Sequence, residues 1–314
     1  MITLKGRDFL TLADFTPEEL RYLLDLTHYL KEQHKKNADP PLLAGRTLGM
    51  IFRKNSTRTR VSFMAGMAQL GGQAIALSPD ELQLSRGETL ADTAKVLSRY
   101  LDAVLIRTFG HEEVLKWAAE ATIPIINGLT DWVHPTQAVA DLVTLEEKKG
   151  QLKGLKLAYV GDGNNMVHSL LLGAAKLGVH ISAACPPGYE PQAQVVALAQ
   201  TAAQDSGASI EITSDPKTAV AGADAVYTDV WASMGQEEES EARKKVFAPY
   251  QINMDLMVHA KPDAIFLHCL PCHRGEEVTA EVVDNPASVV FDEAENRLHA
   301  HKAILAAVLV SPVI

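Results

Sequence analysis

Apolar residues recur along this chain in two forms. One is a short unbroken run, as in Leu48, Met50, Ile51 and Phe52 around a single glycine; the other is a three-to-four spacing, as in Val61, Met64, Ala65, Ala68 and Leu70. The first marks a strand buried on both faces and the second a helix with one buried side. In order, the pattern predicts a helix from 16–17 to about 32, opened by Thr16 as cap, Pro17 at the first position and Glu19 completing a capping box. A loop follows at 37–41, then a strand at 48–52 leading into a helix that begins at Ser56 or Thr57 and ends at Gly71-Gly72. Next come a strand (73–77), a helix (89–100), a strand (103–106), a helix (111–121), a strand (123–127) and a helix (136–146). Residues 78–88 show no period and read as a long loop.

The polar stretch 146–150 reads as a domain boundary, after which a second series begins. It predicts strands at 155–160, 181–185, 209–213, 225–228, 264–267 and 289–291. Helices are expected at 167–177, 192–204, 215–221 and, closing the chain, 293–308. Strands alternating with helices in this way predict parallel sheets of the α/β class.

Composition narrows the picture. The chain has 314 residues, enough for two domains, with 47% hydrophobic and 22% charged residues. No apolar run reaches membrane-spanning length. The first residues lack the layout of a secretory or mitochondrial leader, so a cytoplasmic protein with no membrane partner is expected. The 29 Lys and Arg against 39 Asp and Glu leave a formal charge of −10, which argues against a nucleic-acid partner. It also means that any anionic ligand must be held by local cations against the mean field. Three cysteines make no disulfide framework.

One stretch has a chemistry of its own. Ser56-Thr57-Arg58-Thr59-Arg60 follows a buried strand and opens a helix. Unpaired backbone N–H groups, hydroxyls and a guanidinium together there make an anion site. Arg107 follows another strand, on the side of an α/β sheet where ligands bind. His134-Pro135-Thr136-Gln137 opens a further helix. Its position favours a neutral His134 able to donate to a carbonyl, while Gln137 can accept from an amide amine. Asp229 follows a strand and offers a carboxylate to an amine. Gly161-Asp162-Gly163-Asn164-Asn165-Met166 lacks the third glycine of a dinucleotide fingerprint. Cys269-x-x-Cys272 between His268 and His273 has no second cysteine pair to complete a zinc site, so no metal is expected.

These strings together resemble the aspartate/ornithine carbamoyltransferase family, with matches running from Ser56 to Arg297. The Asp229…Ser233-Met234-Gly235 spacing resembles the ornithine-using branch. The resemblance implies two Rossmann-like α/β/α domains with parallel sheets around a central cleft, 1–148 for carbamoyl phosphate and 149–314 for ornithine, the helix at about 293–310 packing back on the first. It implies transfer of a carbamoyl group from carbamoyl phosphate to the δ-amine of L-ornithine in arginine metabolism, with no cofactor. By the same resemblance Ser56, Thr57, Arg58, Thr59, Gln83, Arg107, His134, Pro135, Thr136, Gln137, Cys269, Leu270 and Arg297 bind carbamoyl phosphate. Asn165, Asp229, Ser233 and Met234 bind ornithine, and Arg107, His134, Asp229 and Cys269 carry the catalysis. Gln83, on the loop, would complete a neighbouring subunit's site, which implies a homotrimer or an assembly of trimers.

Overall fold

The structure is a computed structural model that describes residues 2–78, 80, 82–233, 235 and 237–314. The chain divides into two compact units, Met1–Ala140 with Asn296–Ile314, and Asp141–Glu295. Both are α/β, as the alternation of strand and helix patterns predicts.

The first unit contains α1 (Pro17–Lys35), β1 (Thr47–Phe52), α2 (Arg58–Gln69), β2 (Gln73–Leu77), α3 (Leu90–Leu97), β3 (Ala103–Arg107), α4 (His111–Glu120) and β4 (Ile125–Leu129). It also holds the start of α5 (Pro135–Lys149). The capping box at α1 is formed: Thr16 accepts the Glu19 N–H at 3.2 Å, and Glu19 accepts the Thr16 N–H at 2.9 Å. The strands lie in the order β2-β1-β3-β4, all parallel. Ile51, Val104 and Ile106 from the sheet pack with Val114 and Trp117 of α4. Each such side chain, fully buried, contributes about 1.5–3 kcal/mol. The loop after β2 contains one short 3-10 turn, Gln83–Arg86.

The second unit holds the rest of α5, then β5 (Lys156–Val160), α6 (Asn165–Ala174), β6 (His180–Ala184), α7 (Ala193–Ser206), β7 (Ile210–Thr213) and α8 (Pro216–Val220). It continues through β8 (Ala225–Tyr227), α9 (Ser240–Phe247), α10 (Met254–Met257), β9 (Ile265–Leu267), α11 (Ala280–Val283) and the start of α12 (Val290–Val310). Its strand order is β7-β6-β5-β8-β9, again all parallel.

One expectation about elements fails. Residues 289–291 are not a strand. Ser288 makes an isolated bridge to Phe266, and α12 begins at Val290. The β-branched Val289-Val290 pair suggests a strand locally, but Asp292 and Glu293 lie in the first turn of α12, where acidic residues favour the positive helix end. The polar stretch 146–150, expected to mark a domain boundary, is the last turn of α5, which runs to Lys149 and is ended by Gly150 at φ +81°.

In open parallel sheets a ligand crevice forms at the strands' carboxyl ends, where the strand order reverses. That point lies between β1 and β3 in the first sheet and between β5 and β8 in the second.

Candidate functional site

Most of the residues singled out by the sequence gather in two clusters, one in each unit.

In the first unit, β1 leads through Lys54 to α2. Ser56 Oγ accepts the Thr59 N–H at 3.1 Å, while Thr57, at the cap position, makes no side-chain capping bond. Thr57 is exposed, Ser56 and Arg58 are half-buried, and Thr59 is buried. The Nε of Arg58 is buried with no hydrogen-bond partner among the described residues. An unsatisfied guanidinium N–H beside the open end of a helix is a donor set that an anion would complete. Arg297, on α12, donates to Thr59 Oγ1 and is itself buried.

Arg107 is the last residue of β3, also buried. The β3–β4 ladder slips between Ile106 and Arg107, pairing Arg107 with Leu129. Irregularities of this kind re-aim side chains at functional sites. His134 precedes α5, whose first position is Pro135, and lies 3.4 Å through Nδ1 from Thr136 Oγ1. Pro135, Thr136 and Gln137 are buried in that first turn. Burial, followed by the charges of Arg297, Arg107, His301 and Arg58, holds His134 far below the usual imidazole range. It is therefore a neutral histidine among three guanidiniums. His301 is held neutral in the same way by burial and Arg297. Its Nδ1 is 2.8 Å from Ser62 Oγ and its ring stacks 4.0 Å from Phe63. Gln83 is exposed on its 3-10 turn, and no hydrogen bond or ion pair among the described residues joins its side chain to this cluster.

In the second unit Asp229 follows β8 and is buried. Its Oδ2 accepts from Asn164 Nδ2 at 2.8 Å, and its Oδ1 accepts from the Cys269 thiol at 3.1 Å. Asn164 also caps α6, its Oδ1 accepting the Met166 N–H at 2.9 Å. Asn165 is buried at the first position of α6. The turn between β5 and α6 is glycine-rich for a packing reason. A Cβ on Gly163 would lie 2.3 Å from the Glu190 carbonyl carbon and 2.4 Å from Pro191 N, both backbone atoms. The glycine thus lets two chain segments pass closely, and the Gly163 N–H donates to Tyr189 O at 2.8 Å.

Cys269 and Leu270 follow β9. Burial, then the Asp229 charge and hydrogen bond, push the Cys269 thiol well above its usual range, so it remains protonated and is a poor nucleophile. Leu270 adopts φ +56°, a left-handed conformation costly for a branched residue, next to a cis Leu270–Pro271 bond. Its N–H donates to His268 Nδ1 at 2.9 Å. Ser233 is half-buried; Met234 lies outside the described residues.

Asp229, His268 and Cys269 place one donor atom each within metal-binding range of one another, as do His273, Glu276 and Glu277. Both nitrogens of His268 are already engaged, by the Leu270 N–H and by Glu277 at 3.2 Å. Glu276 pairs with Lys244 at 3.1 Å. Neither set is arranged for an ion.

Sequence reasoning missed Asp162, Arg243 and the direct role of Asn164. Arg243, on α9, sits 3.2 Å from Asp162, donates to Trp231 O at 2.8 Å and lies over the Tyr189 ring. It ties the segment after Asp229 to the turn after β5. Burial, less the opposing pull of Arg243, raises Asp162 to about 6, with Asp229 and Glu239 adding to the rise. No local signal marks Arg243; Asn164 was legible as an Asn immediately before a helix.

The sequence profile described as "Aspartate/ornithine carbamoyltransferase, carbamoyl-P binding domain" matches residues 7–147, and that of the "Asp/Orn binding domain" matches 153–308. An ornithine carbamoyltransferase of Oceanobacillus iheyensis is 60% identical over 98% of this chain and 95% of its own length. An anabolic ornithine carbamoyltransferase of Pyrococcus furiosus is 55% identical over 98% of each. The solved structure of the Pyrococcus furiosus ornithine carbamoyltransferase superposes with a TM-score of 0.96 at 54% identity, covering 99% of this chain and 100% of that one.

Proposed function

The chain belongs to the aspartate/ornithine carbamoyltransferase family, and on that premise we propose that it transfers the carbamoyl group of carbamoyl phosphate to the δ-amine of L-ornithine, yielding L-citrulline and phosphate in arginine metabolism. The first unit takes carbamoyl phosphate and the second takes ornithine, the domain limits 1–148 and 149–314 being the working division. The observation that carries the reading is the neutral His134 set among Arg58, Arg107 and Arg297. A phosphate dianion requires the charges, and a carbonyl oxygen that becomes negative as the amine attacks requires preorganised donors.

Ser56, Thr57, Arg58 and Arg107 neutralise the phosphate. Arg107, His134 and Thr59 donate to the carbamoyl oxygen, with Arg297 holding Thr59 in place. Gln137 and the Leu270 carbonyl accept from the carbamoyl amine, and Pro135, Thr136 and Cys269 line its seat. Asn165, Ser233 and Met234 hold the amino-acid end of ornithine, while Asp229, beside Cys269, orients the δ-amine. A nitrogen–carbon bond forms, the carbon–oxygen bond to phosphate breaks, and the bonding pair leaves on phosphate, which also takes up the surplus amine proton. Carbamoyl phosphate is already activated, so the reaction needs no cofactor or metal.

The enzyme works in the cytoplasm; no described helix is long and apolar enough to cross a membrane. It assembles as a homotrimer or as an assembly of trimers, with Gln83 entering a neighbour's site. Support comes from the exposed apolar Val61 and Met64 on α2 and Ile75 on β2, which a partner would cover.

The deciding experiment compares product formation from carbamoyl phosphate with ornithine, putrescine, aspartate and N-acetylornithine. Turnover confined to ornithine is expected. Turnover with another of these amines and none with ornithine would discard the second-unit assignment.

A further inference from the structure

Two buried carboxyl groups of the second unit lie beside the strands that lead to Asp229 and Cys269 and are not used by the reaction. Asp141, on α5, is 3% exposed, and Glu293, on α12, is fully buried. Both carboxyl groups converge on one hydroxyl, that of Tyr227. Two buried carboxylates brought to the same hydroxyl repel each other, and a proton on one of them removes that repulsion. The Tyr227 phenol oxygen lies 3.3 Å from Asp141 Oδ2 and 3.4 Å from Glu293 Oε1, and its single O–H can serve only one of them at a time. The remaining oxygen, Glu293 Oε2, accepts the His268 N–H at 2.9 Å.

We propose that Asp141 and Glu293 share one proton, and that this carboxyl pair is a positioning device: it pins the end of β8 through Tyr227 and the end of β9 through His268, so that Asp229 and Cys269 meet in register.

The groups facing the pair are Tyr227, the His268 N–H and, further along the same strand ends, Cys269 and Asp229. The His268 ring brings no charge. Its Nδ1 accepts the Leu270 N–H, so its proton is on Nε2, which donates to Glu277. Burial and the Asp141 charge both favour the protonated form of Glu293, which agrees with two carboxyl groups meeting at the one Tyr227 hydroxyl. β8 and β9 are three residues long, and their ends carry Asp229, Cys269 and Leu270. Strands this short do not fix their own ends to the tolerance that a 3.1 Å thiol–carboxylate contact needs.

The test uses Glu293→Gln and Glu293→Leu in the full-length protein. Glutamine is the neutral isostere of the protonated acid: its amide can donate to Asp141 and accept from His268. It is expected to keep kcat/KM for ornithine within about threefold, whereas leucine lowers it by tenfold or more, at unchanged affinity for carbamoyl phosphate. Proton count supplies an independent readout. Wild-type Glu293 carries a proton when folded and loses it on unfolding above about pH 4.5, its ordinary value. Its contribution is therefore complete below that value and declines as pH rises toward the folded pKa. The ratio of wild-type to Glu293→Gln unfolding constants should climb by about tenfold per pH unit in that window. Parallel pH profiles for the two proteins would mean that Glu293 is ionised in the fold and would overturn the shared proton. Equal loss of activity in both variants would overturn the positioning role. That role rests on the reading of Asp229 and Cys269 above; the proton count does not, so it tests the pair even if the acceptor were another amine.

Discussion

Replacing Asp229 with Asn tests the second half of the site most directly. The substitution conserves shape and leaves Asn164 and Cys269 in place, but removes a buried negative charge. In the wild type both carboxylate oxygens are held by protein donors, at 2.8 and 3.1 Å, so the side chain is fixed before substrate arrives. A carboxylate with two protein donors retains lone pairs for an amine. Losing one hydrogen bond to a charged partner costs about 1.5–3 kcal/mol, or roughly 10- to 150-fold in kcat/KM for ornithine. The affinity for carbamoyl phosphate, assigned to the other unit, should change by less than about twofold. Calorimetric titration with carbamoyl phosphate measures this separately from initial rates against ornithine. A second signature is local. Asp229 is among the causes that hold the Cys269 thiol high, so thiol alkylation should begin at lower pH in Asp229→Asn than in wild type. Weakened carbamoyl phosphate binding with an intact KM for ornithine would refute the assignment, as would an unchanged alkylation profile.

Three further outcomes are expected. Arg58→Gln removes the guanidinium whose Nε has no hydrogen-bond partner among the described residues, and should weaken phosphate or carbamoyl phosphate binding about 10- to 150-fold by calorimetry, with KM for ornithine at saturating donor little changed. At subsaturating ornithine, rates should rise with pH, because an alkyl amine of pKa ~10.4 is only about 0.1% neutral at pH ~7.5. His134, held below its ordinary range, is already neutral and adds no inflection near pH ~6.5, so a flat profile between about pH 6.5 and about pH 9 would contradict control by the amine. Gly163→Ala should destabilise the protein by about 1–3 kcal/mol in urea unfolding and raise KM for ornithine, since the added carbon meets the backbone of Glu190 and Pro191 beside the Asn164 cap.

The half of the site that was legible in the sequence is the half written locally. Ser56 to Thr59 could be read because a strand, a turn and a helix start are all local patterns, and an anion site needs little more than that geometry. His134-Pro135 was legible for the same reason. Arg297 meets Thr59 across 238 residues of sequence, which no spacing reveals; resemblance pointed to Arg297 as a ligand of the carbamoyl group but not to this contact. Arg243 was invisible because its helix, α9, carries few apolar positions, and its partners Asp162 and Trp231 come from separate loops. Residues 289–291 misled in the opposite direction. Their local preference is for a strand, but Glu293 must take the His268 N–H, and a helix starting at Val290 is what delivers it.

The division of charge explains why the donor half must be built from buried groups. The chain is formally −10, so its long-range field disfavours an incoming phosphate. Surface lysines cannot reverse that within a screening length of about 8 Å of wet protein. Arg107 and Arg297 are buried and Arg58 is half-buried, where their charges are screened less and their donors are fixed. Crowding three guanidiniums together is itself unfavourable. The cluster limits that cost by excluding further positive charge: His134 and His301 are both driven neutral by burial and by these arginines. A ligand bringing two negative charges relieves the remaining repulsion, and a substrate analogue without phosphate does not. On the proposed reading, a phosphorylated acyl donor is therefore expected to bind more tightly than the same analogue without its phosphate, a difference that calorimetric titration of the two would measure.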